Sequence, residues 1–305
     1  MAINKVFKKV MEVISHTDID ITKNYKLIRS AIEVINTNPL MKTTSKDEII
    51  MTNNRMIPIR LFIPKGNNTK EVIIFYHGGG FVTGSINSYN KVCQNIANYT
   101  NNLVISVEYR LAPEFPFPIG LNDCYQATKE LYRMLKESKV RNRNITLMGD
   151  SAGGNLAAVI SLMSRNTGDF KVQNQILLYP LVDTNHGSDS PYPSVYENGK
   201  DFVLTRKRIE DYLKLYLTSP KDINNIYAAP IKATLEQQPR TLIITAEFDP
   251  LRDEGYAYYQ KLKQYKNKAY YHEVKDCIHG FIGSSLYPKQ VKEALYIMND
   301  FLRRK

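Results

Sequence analysis

The sequence predicts an α/β protein with a mainly parallel β-sheet and helices on both faces. Apolar runs of strand length recur along the chain, and stretches with helical spacing of apolar residues separate most of them. The runs are 57–63, 72–76, 103–107, 145–148, 176–179, 242–245 and 269–274, and the helical stretches are 88–99, 120–137, 152–165, 253–266 and 288–303. Strands that alternate with helices form parallel sheets, whose ligands bind beyond the carboxyl ends of the strands.

The individual strands are predicted from two kinds of pattern. Residues 57–63 alternate between apolar and polar and are followed by Pro64 and Gly66, which indicates a strand that ends in a turn. The other runs, such as Val72–Tyr76, are continuously apolar, as in strands that are covered on both faces. Most of the sheet is therefore expected to be buried.

Two segments depart from this alternation and predict the domain organisation. Residues 1–45 carry apolar positions at helical spacing and predict two helices that end near Pro39. Residues 183–235 lie between two predicted strands and contain loop-like sequence and one amphipathic helix, 205–217. We expect 46–182 and 236–305 to form the core, and 183–235 to form a cap over the strand ends, together with the N-terminal helices.

Composition and charge limit the functional classes. The chain has 305 residues, of which 43% are hydrophobic, and a net charge of +11. Its basic residues are scattered in small clusters and form no single stripe, so no nucleic-acid partner is predicted. No stretch has the length and apolarity of a membrane span, and the basic N-terminus has no apolar run of signal-peptide length.

Three cysteines, Cys93, Cys124 and Cys277, are widely spaced. An odd number at such spacing fits neither a disulfide framework nor a metal site, and buried thiols are the simpler interpretation. A cytoplasmic protein is therefore predicted.

A nucleophile is predicted at Ser151. The segment Gly149-Asp150-Ser151-Ala152-Gly153-Gly154 follows a predicted strand and opens a predicted helix. A serine on such a tight strand-to-helix turn is exposed, and the helix N-terminus favours negative charge beside it. A glycine-rich turn with an incidental serine is the alternative, and the position between strand and helix counts against it.

An oxyanion hole is predicted at His77-Gly78-Gly79-Gly80, which follows the strand 72–76. Three consecutive glycines are entropically costly, and the usual compensation is a backbone that approaches a ligand closely. The N–H groups of Gly79, Gly80 and Ala152 could then stabilise a tetrahedral oxyanion. His77 is expected to orient this loop by hydrogen bonding and not to act as a base.

The acid and the base are predicted at two later strand ends. Asp249 follows the run 242–245, with Asp253 and Glu247 as rivals. His279 lies in a loop after the run 269–274 and is followed by a glycine. Nucleophile, acid and base at successive strand ends, in the chain order Ser, Asp, His, are typical of one class of hydrolytic triad.

With these motifs, the chain resembles the hormone-sensitive-lipase-like family of α/β-hydrolases. The matching segments are His77-Gly78-Gly79-Gly80-Phe81, Tyr109-Arg110-Leu111-Ala112-Pro113-Glu114, the segment 149–154, Asp249-Pro250-Leu251-Arg252-Asp253-Glu254-Gly255 and His279-Gly280-Phe281. The resemblance implies an α/β-hydrolase fold with a mostly parallel eight-stranded sheet, flanking helices and a helical cap. It also implies hydrolysis of carboxylic esters without metal or cofactor, with Gly79, Gly80 and Ala152 as the oxyanion hole. Edge-strand homodimers are common in the family.

The expected substrates are small esters with short to medium acyl chains. The apolar residues expected near the site are Phe81, Phe202, Leu204, Tyr212 and Phe281, although the same residue types also form ordinary core. Two alternatives stay open at this point. One is an amidase or deacetylase that uses the same acyl-enzyme chemistry. The other is a non-catalytic receptor of the gibberellin-receptor kind, in which the catalytic histidine is replaced, whereas His279 is present here.

Overall fold

The computed structural model describes residues 20–36, 44–52, 55–66, 71–138 and 144–304. Within them, one sheet of eight strands organises the chain. The strands are β1 (Ser45–Met51), β2 (Met56–Phe62), β3 (Val72–Tyr76), β4 (Leu103–Val107), β5 (Ile145–Asp150), β6 (Val172–Leu178), β7 (Arg240–Phe248) and β8 (Ala269–Ile278). Their spatial order is β1-β2-β4-β3-β5-β6-β7-β8. From β4 to β8 all neighbours are parallel, while β1 with β2 and β2 with β4 are antiparallel. The mostly parallel eight-stranded sheet is therefore confirmed.

Eight α-helices lie within the described residues. They are α1 (Ile21–Asn36), α2 (Asn90–Thr100), α3 (Ile119–Glu137), α4 (Ala152–Thr167), α5 (Pro193–Glu197), α6 (Arg206–Tyr216), α7 (Arg252–Gln264) and α8 (Pro288–Arg303). Buried residues of α3, α4 and α7 form one apolar cluster with the sheet, and those of α2 and α8 form a second. Consecutive residues of β3 alternate between the clusters, with Ile73 and Phe75 in one and Ile74 in the other. The sheet is thus covered on both faces, as its apolar runs predict.

The structure differs from the predicted elements at the first strand. Strand β1 was not predicted, because three of the seven residues in its sequence SKDEIIM are charged and only Ile50 is buried. An edge strand that is bonded on one side only can keep such a polar face. The first of the two predicted N-terminal helices and Pro39 lie outside the described residues, and α1 corresponds to the second.

Residues 183–235 contain no strand in the described structure. They hold α5, α6 and two short 3-10 turns, Pro220–Asn224 and Pro230–Lys232. Helix α1 packs against α6. The division of the chain into core and cap stays a prediction.

Two further observations concern the whole described chain. None of its helices combines the length and the apolarity that a bilayer crossing requires. Cys93, Cys124 and Cys277 are all buried free thiols, as predicted.

Candidate active site

Ser151 occupies the turn between β5 and α4, as the sequence predicts. Its φ of 54° and ψ of −119° lie in a region of backbone conformation that residues other than glycine rarely adopt. The turn is fixed by a hydrogen bond of 2.9 Å from the Ser151 N–H to the carbonyl of Leu178 on β6. The N-terminus of α4 begins at the next residue and directs its unpaired N–H groups and its positive dipole end toward the serine.

Two glycines beside the serine allow the close approach of neighbouring backbones. A Cβ on Gly149 would lie under 3.0 Å from the carbonyl oxygen of Gly153. A Cβ on Gly153 would lie under 3.0 Å from the carbonyl oxygen of Tyr76 at the end of β3. The G-x-S-x-G spacing therefore reflects sterics on both sides of the turn.

The side chains of Ser151, His279 and Asp249 form one hydrogen-bonded line. His279 Nε2 lies 2.9 Å from Ser151 Oγ, and His279 Nδ1 lies 2.7 Å from Asp249 Oδ2. A carboxylate only accepts, so Nδ1 carries the proton and Nε2 is free to accept the serine proton. The three residues follow directly after the ends of β5, β7 and β8, which brings them to one edge of the sheet.

Asp249 is the carboxylate that contacts the histidine. It is fully buried, and its second oxygen accepts a hydrogen bond of 2.8 Å from the Leu251 N–H. The two rival carboxylates have other partners: Asp253 accepts from the Ser194 N–H at 2.7 Å, and Glu247 accepts from the Asp276 N–H at 2.9 Å.

The triple-glycine loop lies beside this line. Gly79 and Gly80 have φ of 114° and 61°, both in the region that favours glycine. A Cβ on Gly79 would meet the backbone of Thr83, and one on Gly80 would meet the ring of Tyr212. Within the described residues, the N–H groups of Gly79 and Gly80 donate no hydrogen bond, so both remain available to an acceptor.

His77 at the start of this loop is fully buried, and its Nδ1 donates to the Gly78 carbonyl at 2.8 Å. Burial lowers the pKa of His77 to about 4, so the ring is neutral at physiological pH. The Tyr109 ring stacks on it at 4.3 Å. These contacts agree with the predicted loop-orienting role.

A cavity of about 990 Å³ opens onto Ser151, His279, Gly79, Gly80 and Ala152. Four of the five predicted substrate-binding residues line it: Phe81, Leu204, Tyr212 and Phe281. Phe202 is not among the lining residues; it is buried in the core, with its ring 5.6 Å from that of Phe248. The sequence gives no signal of which way this loop phenylalanine points.

Sequence reasoning missed two groups of residues at the site. Three isoleucines of α1 line the cavity: Ile21, Ile28 and Ile32. The helical spacing of Ile28 and Ile32 predicts a helix but does not indicate what its apolar face covers. Asp150 is buried directly beside the nucleophile, with Tyr89 and Tyr179 as hydrogen-bond partners. Nothing in the local sequence distinguished this carboxylate from an ordinary turn residue.

Comparisons with known proteins all identify α/β-hydrolases and esterases as similar to this chain. A family model described as alpha/beta hydrolase fold matches residues 73–283. The arylesterase of Saccharolobus solfataricus is 31% identical over 283 residues, which cover 90% of each chain. The carboxylesterase NlhH of Mycobacterium tuberculosis is 32% identical, over 78% of this chain and 75% of that protein.

A solved structure, the hyperthermophilic esterase from the archaeon Pyrobaculum calidifontis, superposes with a TM-score of 0.86 at 33% identity, covering 98% of this chain and 97% of that one. The family model covers well over half of the chain and confirms the predicted fold. The chain belongs to the hormone-sensitive-lipase-like family of α/β-hydrolases.

Proposed function

We propose that this protein is a serine carboxylesterase that hydrolyses small esters through an acyl-enzyme, with Ser151, His279 and Asp249 as its catalytic residues. The observation that carries the proposal is the hydrogen-bonded line from Ser151 Oγ through His279 to the buried Asp249, open to a cavity beside unpaired loop N–H groups. The similarity to proteins named arylesterase and carboxylesterase supports the same reaction class.

The mechanism follows from these contacts. Neutral His279 accepts the Ser151 proton at Nε2 while Oγ attacks the ester carbonyl, and Asp249 holds the ring in the required tautomer and stabilises the imidazolium. The N–H groups of Gly79, Gly80 and Ala152 receive the oxyanion. The alcohol leaves with the proton from Nε2. Water then attacks the acyl-enzyme by the same route, which releases the acid and restores Ser151.

The nucleophile is tested by Ser151→Ala. We expect turnover of p-nitrophenyl butyrate to fall to the uncatalysed rate, while circular dichroism and the thermal midpoint show an intact fold. A fluorophosphonate should label the wild-type protein and leave the variant unlabelled. Turnover by a folded Ser151→Ala variant at the wild-type rate would exclude this nucleophile. Matched anilides in the same assay would reveal an amidase instead.

For the substrate, we propose short to medium acyl esters. The cavity volume of about 990 Å³ lies at the upper end of the range for small-molecule pockets. Side chains such as Leu204 and Ile209 give the cavity apolar walls. A series from acetate to dodecanoate should give maximal kcat/KM at an intermediate length. Leu204→Trp would fill part of the cavity, so it should shift the optimum to shorter chains and leave acetate turnover nearly unchanged. An unchanged length profile would count against Leu204 as an acyl contact.

We further propose that α1 and residues 183–235 act together as the cap. Residues from both segments, including Ile28 and Leu213, line the cavity, and α1 packs on α6.

A cytoplasmic location suits three cysteines that are buried as free thiols. The exposed Tyr270 on the edge strand β8 offers a surface for a homodimer, which sedimentation would test.

A further inference from the structure

Asp150 is a buried carboxylate for which the mechanism above has no step. It is the last residue of β5, and only 3% of its surface is exposed. One oxygen accepts a hydrogen bond of 2.8 Å from the backbone N–H of Gly78, and the other accepts from the Tyr89 hydroxyl at 2.9 Å. A buried carboxylate is costly unless it is well bonded, so these contacts require an explanation.

The contact with Gly78 fixes the start of the triple-glycine loop. A Cβ on Gly78 would lie 2.8 Å from Asp150 Oδ2 and 2.9 Å from the Tyr89 hydroxyl. The three glycines therefore have three different neighbours. Gly79 is pressed against Thr83 and Gly80 against Tyr212, whereas Gly78 is required by the approach of the loop to Asp150.

A second contact leads from Asp150 toward the histidine. The Tyr179 hydroxyl lies 3.4 Å from Asp150 Oδ2, and the edge of the Tyr179 ring meets His279, with centroids 4.8 Å apart. Asp150 thus adjoins Ser151 in the chain, bonds to the loop that would bind the oxyanion, and is linked through one ring to the base. No other described carboxylate has all three relationships.

We propose that Asp150 is a positioning residue for ester hydrolysis: it holds the Gly78 N–H so that the next two N–H groups of the loop face the carbonyl attacked by Ser151. This inference rests on the proposed function. Burial raises the pKa of Asp150 to about 6, so the carboxyl is ionised at pH 7 to 8 and its bond to Gly78 is charge-assisted there.

The test compares four variants with the wild type, each corrected for active sites titrated with a fluorophosphonate. Asp150→Ala removes the acceptor of Gly78, and we expect kcat for p-nitrophenyl butyrate to fall about 100-fold with KM within about threefold. Asp150→Asn keeps an acceptor oxygen and should recover most of this loss. Tyr89→Phe should lower kcat by about threefold to tenfold, because it frees one side of the carboxylate. Tyr258→Phe is the matched control, since that buried hydroxyl has no partner within the described residues.

A second readout separates positioning from general stability. A trifluoromethyl ketone binds as a tetrahedral oxyanion. Across the four variants, its affinity should decrease in parallel with kcat and should not follow the thermal midpoint. Wild-type kcat and ketone affinity in folded Asp150→Ala would overturn the proposal. If that variant does not fold, identical kinetics of Tyr89→Phe and Tyr258→Phe would overturn it equally. Either result leaves the proposed function intact. That function fails only if the wild type does not hydrolyse the ester or if folded Ser151→Ala does so at the wild-type rate.

Discussion

The ring of Tyr216 lies flat on the ring of Phe81, with centroids 3.8 Å apart and planes at 6°. Tyr216 ends α6, and Phe81 directly follows the triple-glycine loop. One helical turn earlier, Tyr212 covers Gly80. The helix proposed as part of the cap therefore rests on the loop proposed to bind the oxyanion, which implies that changes in α6 affect kcat as well as substrate fit.

Gly80→Ala should disrupt this contact. The new methyl group would enter the Tyr212 ring, and the backbone φ of 61° disfavours alanine. We expect kcat/KM for p-nitrophenyl butyrate to fall about 100-fold. Gly168→Ala is the matched control, because Gly168 has a φ of 71° but nothing within 4 Å of its Cβ position. Gly168→Ala should lose about 1 kcal/mol of stability in thermal unfolding from its positive φ alone. Gly80→Ala should lose more, because its methyl group also overlaps the Tyr212 ring. Equal activities of the two variants would contradict the contact.

Asp249→Asn should leave the fold intact and nearly abolish turnover. An amide can donate to His279 Nδ1 and so favour the tautomer that cannot accept the Ser151 proton, a change that costs about 10⁴-fold in kcat in a triad of this type. Steady-state kinetics at saturating ester measure the loss. Asp253→Asn provides the comparison, since Asp253 bonds to the Ser194 N–H and not to the histidine. Similar losses in both would refute the choice between the two carboxylates.

Stability should depend on pH through Asp150. Burial raises the pKa of this carboxyl from 3.8 to about 6, so the folded state binds the proton more tightly than the unfolded state does. The stability that this group contributes is fully present below about pH 3.8 and is lost as pH rises through about 6. Denaturant unfolding should therefore show the wild type losing at most about 3 kcal/mol relative to Asp150→Asn between pH 3.8 and 8. A constant difference across this range would contradict the shift.

Arg29→Met should loosen α1 from the rest of the molecule. The Arg29 guanidinium donates to the carbonyls of Val82 at 2.6 Å and Ala112 at 2.7 Å, and it pairs with both oxygens of Glu114. We expect a loss of about 1–3 kcal/mol in the free energy of unfolding. We also expect KM to rise above the wild-type value, and to rise more for octanoate esters than for acetate esters. Lys26→Met, on the same helix, should change neither value. A KM that stays unchanged for both esters would count against α1 as part of the cap.

The sequence allowed the sheet to be predicted because seven of its strands carry apolar patterns of strand length and helices separate most of them. Strand β1 escaped prediction because its residues face solvent and its place depends on pairing with β2, which local pattern does not encode. Strand β2 was predicted one residue too late at each end, at 57–63, where the structure has Met56–Phe62.

The approach of Ser151, Asp249 and His279 could be predicted because parallel strands end at one edge, so chain order gives proximity. Side-chain direction within loops could not, and for this reason Phe202 was expected at the cavity and lies instead against Phe248. The position of Asp150 depends on three segments that are distant in sequence, and no short motif contains that information.

The backbone of Ser151 has a further consequence. A residue held at a φ of 54° and a ψ of −119° stores conformational strain of about 1–3 kcal/mol, which glycine would largely relieve. Ser151→Gly is therefore expected to relieve this backbone strain at the loss of the hydroxyl. Selection for thermal stability alone would favour a folded but inactive protein. The serine is kept only if selection also acts on the reaction of its hydroxyl.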